Sequence, residues 1–497
     1  MQRSRTILFF TTLILGLARE VSGAESSRQV TLDQCIQLAL QHNLDIRIVK
    51  VNPSIAQYNL DALYADYEPD LSLSGSHSDN TSPTTLDAQN RVVPGTSSGT
   101  EAFNATLGGI LPTGFSYTLQ GRMQETEGLT GAGFPFENAN GVVSIQMRQP
   151  LLRNFWIDRT RLNIQIGKRN VRRSQQQVRQ QIINTVTSVE LAYYDLIAAF
   201  EEVKVQDQAL KLAERLLAEN KKRVEVGALA PLDEKAAESD VAASKASLVD
   251  ARNRLSFAQN TLKQLLSDDF SKWQDATLEP TEALKAVPEP FNRLDSWQKG
   301  LANRPELLQS KLDVENQGIT IKYQKNQLFP SLDLFGTYGY NGSKPEYSGA
   351  FSDIANRSAP ISSYGAVLSV PLGNRAARNA YRSSKAEMEQ LLLRLKSLEQ
   401  NIMVEIDDAI KQAQANLEAV EARKQARAFA EAALDAEQKK LENGKTTSYQ
   451  VLLYQRDLTR SRSLEINALA SYNKAVSQLA RSESTTLERR KLAIDAK

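Results

Sequence analysis

The sequence predicts a mainly α-helical protein with transmembrane β-strands, built from two internal repeats that each contain a strand pair and a long helical hairpin. Three observations predict this fold class: a pattern that recurs at an offset of 261 residues, two very long runs almost free of helix breakers, and alternating segments beside prolines. A recurring pattern of this length indicates two copies of one supersecondary unit, packed side by side.

The repeat is clearest where a helical run gives way to an alternating segment after a proline. Residues 40–46 recur as 301–307, and residues 68–73 recur as 329–334, with both pairs at the same offset. The pattern therefore divides the mature chain into four parts. They are a first repeat over 25–270, a linker over 271–300, a second repeat over 301–481 and a charged C-terminal tail over 482–497.

Two runs of the sequence are too long for ordinary globular helices. Residues 375–443 contain neither glycine nor proline, and residues 151–226 contain only Gly167. A helix of about 70 residues extends roughly 100 Å, which is several times the width of a small domain. We therefore expect these helices to form an elongated body.

Each long run ends at a glycine, and a helical pattern resumes directly afterwards. Glycine closes a helix well because it adopts positive φ without steric cost. We predict one helical hairpin over 151–268 with its tip at Gly227, and a second over 372–480 with its tip at Gly444.

Two adjoining stripes along the second long run predict packing neighbours on two sides. The apolar stripe repeats about every 3.6 residues, the period of a nearly straight helix. Its members are Leu391, Leu395, Leu398, Ile402, Ile406, Ala409, Ala413, Leu417 and Val420. An alanine stripe runs one position away, at Ala415, Ala419, Ala422, Ala426, Ala430 and Ala433. The alternative is one broad stripe of an ordinary antiparallel coiled coil.

Alternating side chains predict two strands in each repeat, each beside a proline. The strands cover about 69–79 and 141–149 in the first repeat, and about 330–340 and 362–370 in the second. The prolines that mark the change between helix and strand are Pro69, Pro150, Pro330 and Pro371.

The first repeat also carries an insert over residues 80–140. Within it, residues 103–122 have the pattern of a hairpin around a turn that contains Pro112 and Gly114. This hairpin either adds two strands to the sheet or decorates an outer loop.

The predicted strands have one apolar face and one small or polar face. This alternation fits a transmembrane β-barrel with a wet interior, and equally a soluble sheet half covered by helices. The first 24 residues favour the outer membrane, because Arg3, Arg5, an apolar run over 7–17 and small residues over 22–24 form the pattern of a secretory signal peptide. We predict cleavage near Ala24 without lipidation; the alternative is an uncleaved anchor.

Composition argues against several function classes. Without the signal peptide the chain has 57 basic and 57 acidic side chains, so its charge does not favour nucleic acid. With one cysteine, Cys35, and two histidines, His42 and His77, we expect no metal site and no cofactor. Cys35 is predicted to lie buried in the first helix. The sequence contains no P-loop and no G-x-S-x-G motif, and we predict that the protein is not an enzyme.

These motifs resemble those of the TolC-like outer-membrane efflux proteins. The resemblance rests on Ala-Asn-Arg-Pro-Glu-Leu at 302–307, Leu-Phe-Pro-Ser-Leu at 328–332 and Gln-Pro-Leu-Leu-Arg at 149–153, and it covers essentially the whole mature chain. It implies a homotrimer with a shared twelve-stranded barrel in the outer-membrane lipid, continued by an α-helical barrel across the periplasm. It also implies an equatorial belt midway, which residues 271–300 would form.

The resemblance assigns roles to the two hairpin tips. In the family the tips contact a periplasmic membrane-fusion adaptor protein, which joins the duct to an inner-membrane pump. The matching residues here are Val226, Gly227, Ala228, Leu229, Gly444 and Lys445. Where family members often have entrance aspartates after the second tip, this chain departs from the pattern. We therefore expect a steric or hydrophobic constriction formed by Tyr449, Gln450 and Leu453, with any acidic ring coming from Asp233.

The predicted function is a passive exit duct of a tripartite efflux or type I secretion system. The alternative is a periplasmic adaptor or coiled-coil scaffold without a membrane barrel, which would share the signal peptide and the helical hairpins. An adaptor has one hairpin flanked by β-rich lobes, whereas this chain has two hairpins, each preceded by a strand pair.

Overall fold

The computed structural model describes residues 26–492, which fall into two compact units. The first unit comprises residues 26–44, Ser188–Pro288 and Gln414–Ala475. The second comprises Asp45–Thr187, Glu289–Ala413 and residues 476–492. The predicted signal peptide lies outside the described residues.

Long helices joined by short turns make up most of the described chain. Their bounds are α1 Leu32–His42, α2 Leu44–Ala62, α3 Arg159–Glu225, α4 Pro231–Leu266, α5 Arg293–Asn303, α6 Pro305–Asn326, α7 Tyr347–Ala355, α8 Arg375–Glu442, α9 Ser448–Ser482 and α10 Thr486–Arg489. Helices α3 and α8 have 67 and 68 residues, so each extends about 100 Å at 1.5 Å per residue. Within residues 26–492, no helix is both long and apolar enough to cross a membrane.

Helix α3 begins at Arg159, later than the predicted start at residue 151. The cause is Asn154, whose φ of 68° lies in the left-handed region that interrupts a helix. Its backbone N–H donates to Asn326 Oδ1 at 2.7 Å, and its Oδ1 accepts from Gln327 Nε2 at 2.7 Å. Arg161 Nη2 donates to its carbonyl at 2.6 Å. Side-chain contacts, and not a breaker residue, hold this segment out of the helix.

The apolar stripe predicted on α8 faces the core. Its members Ile402, Ile406 and Ala413 are buried. The two isoleucines pack with Leu307 of α6 and Leu479 of α9, and Ile410, outside the predicted stripe, joins the same cluster. The alanine stripe is mostly exposed; its exposed members are Ala415, Ala419, Ala422 and Ala426. The second predicted seam of α8 is therefore largely uncovered by residues 26–492.

Arg304, from the recurring motif, joins three helices of the second unit. It stands between α5 and α6, followed by Pro305 at the first position of α6, where proline loses no helical hydrogen bond. Its Nη1 donates to Glu405 Oε2 on α8 at 2.7 Å, and its Nη2 lies 3.4 Å from Glu306 Oε1. Burial alone would lower the pKa of Arg304 and raise that of Glu405. The hydrogen bonds and opposite charges outweigh burial, so the Arg304 pKa is raised and the Glu405 pKa is lowered.

The beginning of the predicted C-terminal tail packs into the second unit. Glu483, Thr485 and Leu487 are buried, and Thr485 Oγ1 donates to Glu483 Oε2 at 3.1 Å. Arg489 Nη2 forms an ion pair with Glu289 Oε2 at 2.8 Å. Part of the segment predicted to be a charged tail is therefore folded, and two of its charged residues, Glu483 and Arg489, form contacts within the second unit.

Six strands form one antiparallel sheet in the second unit, in the order β10-β9-β7-β6-β5-β2. Their bounds are β2 Asp70–Thr81, β5 Ser97–Ile110, β6 Ser116–Leu129, β7 Pro135–Pro150, β9 Ser331–Lys344 and β10 Ala359–Ser369; β1 Ser26–Val30 pairs with β8 Ala276–Pro280, and β3 Thr85–Leu86 with β4 Val92–Val93. The predicted linker thus contributes a strand to the first unit.

The hairpin of residues 103–122 lies in β5 and β6, at the centre of the sheet. Of the two alternatives for this hairpin, the structure shows the first: it adds two strands to the sheet, so the first half contributes β2, β5, β6 and β7. All twelve residues of β2 pair with β5, and β6 pairs with β7 over fourteen residues. The hairpin joins the sheet because its strands are as long as their neighbours and share their alternation.

The sheet has one apolar and one polar face, since residues paired across strands point to the same side. The apolar face includes Leu71, Leu73, Leu107, Leu119, Ile145, Leu334, Tyr338, Tyr364 and Leu368. The polar face includes Ser72, Ser74, Thr106, Thr118, Gln146, Thr337 and Ser363. Most of the large apolar side chains are exposed, with Leu73 at 71% and Tyr364 at 92%.

Cys35 lies fully buried in α1, as predicted. Burial, with a smaller contribution from the charge of Glu282, raises the pKa of its thiol from 9.0 to about 12.

We expect Cys35 to resist maleimide labelling at pH 8 in the folded protein and to react within minutes in denaturant, because only the thiolate is nucleophilic. The unfolded chain loses this proton near pH 9 while the fold keeps it, so this group destabilises the fold progressively as pH rises from about 9 towards 12. Mass spectrometry of labelled protein measures the first effect. Rapid labelling of the folded protein would contradict the burial.

Candidate functional site

The first helical tip, between α3 and α4, is a turn closed by glycine. Gly227 has a φ of 74°, and no atom lies within 4 Å of the place where a Cβ would stand. Backbone conformation alone therefore requires glycine here. The N–H groups of Gly227 and Ala228 donate to the carbonyls of Val224 and Arg223 at 2.9 and 2.8 Å, which satisfies the end of α3. Val226 is 78% exposed at this tip.

The second tip, between α8 and α9, repeats this backbone arrangement. Gly444 has a φ of 68°, and the N–H of Lys445 donates to the carbonyl of Lys440 at 2.8 Å. Thr446 Oγ1 donates to one carboxylate oxygen of Glu437, and Lys440 Nζ lies 3.0 Å from the other. These two contacts, Thr446 first, lower the pKa of Glu437 and fix its charge beside the turn.

A buried hydrogen bond connects the two hairpins close to their tips. Ser448 Oγ donates to Asn220 Oδ1 at 2.9 Å, and Asn220 is only 1% exposed. Its Nδ2 donates in turn to the carbonyl of Asp233 at 3.4 Å. Behind it lies an apolar cluster formed by Leu216, Leu434, Leu441, Val451, Leu452 and Leu458. The two tips are thus held by this hydrogen bond and this apolar cluster, and are not isolated loops.

Replacing Gly227 or Gly444 by alanine is expected to loosen the tip concerned, because a left-handed conformation costs an L-residue about 1–2 kcal/mol. Hydrogen exchange at the last turn of α3 or α8 should accelerate about 5- to 30-fold, the rate equivalent of that energy. The matched control is Gly318→Ala in α6, where a Cβ would make an ordinary 3.7 Å contact with Met388. Unchanged exchange at both tips would contradict the assigned backbone strain.

The four entrance candidates occupy different environments. Asp233 is half-buried, and its Oδ2 accepts the N–H of Ala230 at 3.3 Å, so its carboxylate caps the start of α4. Tyr449 and Gln450 are exposed on the first turn of α9, and Leu453 is half-buried one turn further on. Because the Asp233 carboxylate caps α4, the candidates for the constriction are the three uncharged side chains, Tyr449, Gln450 and Leu453.

An ion pair between a buried carboxylate of α4 and a partly exposed arginine of α9 was not among the predicted site residues. Arg456 Nη2 and Nε lie 2.7 and 2.8 Å from the same oxygen of Asp240, which is buried. A signal was present in the sequence, because Asp240 stands between Ala237 and Leu248 on the apolar side of α4. A carboxylate on such a face requires a partner, since an unpaired buried charge is costly.

The four junction prolines lie at the helix-proximal ends of strands. Pro69 and Pro330 directly precede β2 and β9, Pro150 is the last residue of β7, and Pro371 follows β10 by two residues. Proline is tolerated at these places because it needs no donor in the ladder at a strand end. Their role as the boundary between periplasm and membrane stays a prediction.

An exposed apolar sheet face, two helices of about 100 Å and two glycine-closed tips fit the class of membrane channels, and comparison with known proteins gives the family. The family model described as outer membrane efflux protein matches residues 35–267 and 297–482, and the chain belongs to this family. The resemblance stated from the sequence is thereby confirmed. This family consists of outer-membrane efflux proteins and is not a family of enzymes, which places the protein in the outer membrane.

Individual relatives agree with this family. The outer membrane efflux protein BepC of Brucella suis biovar 1 (strain 1330) is 24% identical over 64% of this chain, a match that spans 66%, just under two thirds, of the relative. Among solved structures, the outer-membrane channel OprN has a TM-score of 0.68 at 15% identity, covering 91% of this chain and 90% of that one. The Campylobacter jejuni CmeC outer membrane channel has a TM-score of 0.66 at 13% identity, covering 97% and 94%. At these identities the structures share the fold.

Proposed function

We propose that three copies of this chain form a passive duct that receives substrates through a periplasmic adaptor from an inner-membrane pump. The observation that carries the proposal is the combination, in one chain, of a sheet with an exposed apolar face and helices of about 100 Å. Outer-membrane lipid would cover the apolar face, and the polar face would line a wet lumen. The uncovered alanine stripe of α8 offers a close-packing seam for a neighbouring copy.

The helical tips are the proposed contact with the adaptor. They expose apolar side chains on a rigid base: Val226 and Leu232 at the first tip, and Tyr449 beside the second. Exposed apolar groups rimmed by polar residues are typical of interaction sites. Gly227, Ala228 and Leu229 with Gly444 and Lys445 complete the proposed surface.

Crosslinking from the tips tests this contact. Ala228→Cys and Lys445→Cys, each carrying a short photoactivatable crosslinker, should capture one periplasmic protein that mass spectrometry identifies as having a helical hairpin between β-rich lobes. Lys424→Cys, exposed on α8 away from the tips, is the matched control. Capture from Lys424 alone, or no capture from either tip, would reject the tips as the contact.

Alanine at Gln450 and Leu453 is expected to raise single-channel conductance in planar bilayers at least twofold, because the proposed constriction is steric and lined by neutral side chains. The control, Gln414→Ala, changes an exposed polar residue of α8 distant from the tips. Conductance equal to that of the unmodified protein would place the narrowest point elsewhere.

A further inference from the structure

The two outer strands of the sheet, β2 and β10, are long edges with no partner among residues 26–492. Every residue of β2 is exposed, as are nine of the eleven residues of β10. Soluble proteins protect such edges with lysine, proline or a covering element. The only such residue in either strand is Pro360, at the second position of β10. The outer backbone N–H and C=O groups of both strands are therefore open to pairing with a further strand.

We propose that β2 of one chain pairs with β10 of a second copy, so that each copy contributes six strands and the trimer closes an eighteen-stranded barrel. The inference rests on the proposed trimeric duct and revises the twelve strands that the family resemblance implies. A barrel removes every edge, which is a requirement for strands in lipid.

Strand direction permits this closure. The six strands alternate in direction across the sheet, because every pair in it is antiparallel. β2 therefore runs away from its junction at Pro69, and β10 runs towards its junction at Pro371. Placed side by side, the two edges form another antiparallel pair with both junctions at the same end.

The pairing register within the chain has the stagger of a closed barrel. Following paired residues from Asp70, the first residue of β2, across the sheet leads to Ser363 in β10. Ser363 lies six residues before the end of β10 at Ser369. With the sixth spacing, from β10 to the neighbouring copy, a stagger of about 20 Å over six spacings of about 4.8 Å gives a tilt of about 35°, within the range of transmembrane barrels.

The same stagger defines the register between copies. If the junction ends are level, Asp70 pairs with Ser369 of the next copy, and Leu71 with its Leu368. Apolar residues then meet apolar residues on one face, and Ser72 meets Val367 on the other. Tyr364, the most exposed tyrosine of the sheet, lies opposite Gly75, where an aromatic ring can cover the glycine.

Eighteen strands make a wider barrel than twelve, because diameter grows roughly linearly with strand number. At this tilt the backbone diameter is about 34 Å for eighteen strands and about 22 Å for twelve. The cross-section is about twice as large, so the membrane part of the duct admits bulkier cargo.

Disulfide trapping between edges tests the proposal. In a Cys35→Ala background, Ser72→Cys with Val367→Cys should oxidise to a covalent trimer. A disulfide within one chain is excluded, since five strand spacings of about 4.8 Å separate the two edges. The matched control, Ser72→Cys with Ser363→Cys, keeps the same face but separates the thiols by roughly 13 Å, and should give less than one tenth of the trapped trimer.

Cryo-electron microscopy of the unmodified protein in nanodiscs gives an independent strand count. A ring of eighteen strands supports the proposal. A trimer with twelve strands in the ring, a covalent dimer as the end product, or a trimer without Ser72–Val367 linkage would overturn it while leaving the duct in place. A monomer that stays in solution without detergent would overturn the duct as well.

Discussion

Lysine at Ile145 is expected to prevent the chain from accumulating as a membrane assembly, whereas lysine at the adjacent Gln146 should leave it intact. Both residues lie in the second half of β7, four or five positions before the junction at Pro150, but on opposite faces. Ile145 stands in one cross-strand row with Leu119 and Tyr338 on the apolar face. An ammonium group there would face hydrocarbon at a cost of about 2–4 kcal/mol per copy, against little cost in a wet lumen. Three copies multiply the penalty.

The measurement is the amount of heat-sensitive oligomer in the outer-membrane fraction on non-reducing gels. Ile145→Lys should lower it at least tenfold, and Gln146→Lys should change it by less than a factor of two. Ile145→Leu, which keeps the volume and the apolar character, controls for packing. Equal behaviour of the two lysine variants would mean that the faces of the sheet do not meet different solvents.

The second large effect is expected at Arg304. Replacing it by methionine removes a guanidinium that is 12% exposed and takes the ion-pair partner from Glu405 and Glu306, while Ser482 Oγ still donates to Glu405 Oε1 at 2.9 Å. Because Glu405 is itself 46% exposed, we expect the free energy of unfolding of the second unit to fall by about 1–3 kcal/mol, below the full cost of a buried pair. Thermal unfolding followed by circular dichroism measures the loss.

The pH dependence gives this prediction a second readout. The pKa of Glu405 lies below its ordinary value of 4.5 in the fold, so its stabilising contribution is present above pH 4.5 and is lost as pH falls through the lowered pKa. The difference between wild type and Arg304→Met should therefore shrink below pH 4.5. Lys299→Met, which removes an exposed pair with Asp295 on α5, is the control and should cost under about 0.5 kcal/mol.

Equal stability of wild type and Arg304→Met at pH 7 would contradict the role given to the recurring motif. If the difference in the free energy of unfolding stays constant from pH 7 to pH 3, Arg304 stabilises the fold through packing and not through its charge interaction with Glu405.

Features with a local physical cause could be predicted from the sequence. Gly227 and Gly444 end their helices with positive φ because no other residue does so without strain. The apolar stripe of α8 predicted which side of a helix is buried, since period and burial are tied by helix geometry. The prolines beside the strands follow from the missing N–H, which a strand end tolerates.

Features decided by distant contacts could not be predicted. The break at Asn154 depends on Asn326 and Gln327, more than 170 positions away in the chain, and no local signal shows it. The position of Asp240 on the apolar side of α4 indicates that it needs a partner, but not that the partner is Arg456, 216 positions away in the chain. The hairpin of residues 103–122 was visible as a hairpin, but whether it joined the sheet depended on the length and register of its neighbours.

Single-channel recording of the purified wild-type protein in planar bilayers tests most directly whether it is a passive duct across the outer membrane. We expect discrete conductance steps whose current rises with voltage in the absence of nucleotide, adaptor or pump. A protein that inserts as a folded trimer yet leaves the bilayer electrically silent, including with alanine at both Gln450 and Leu453, would contradict it.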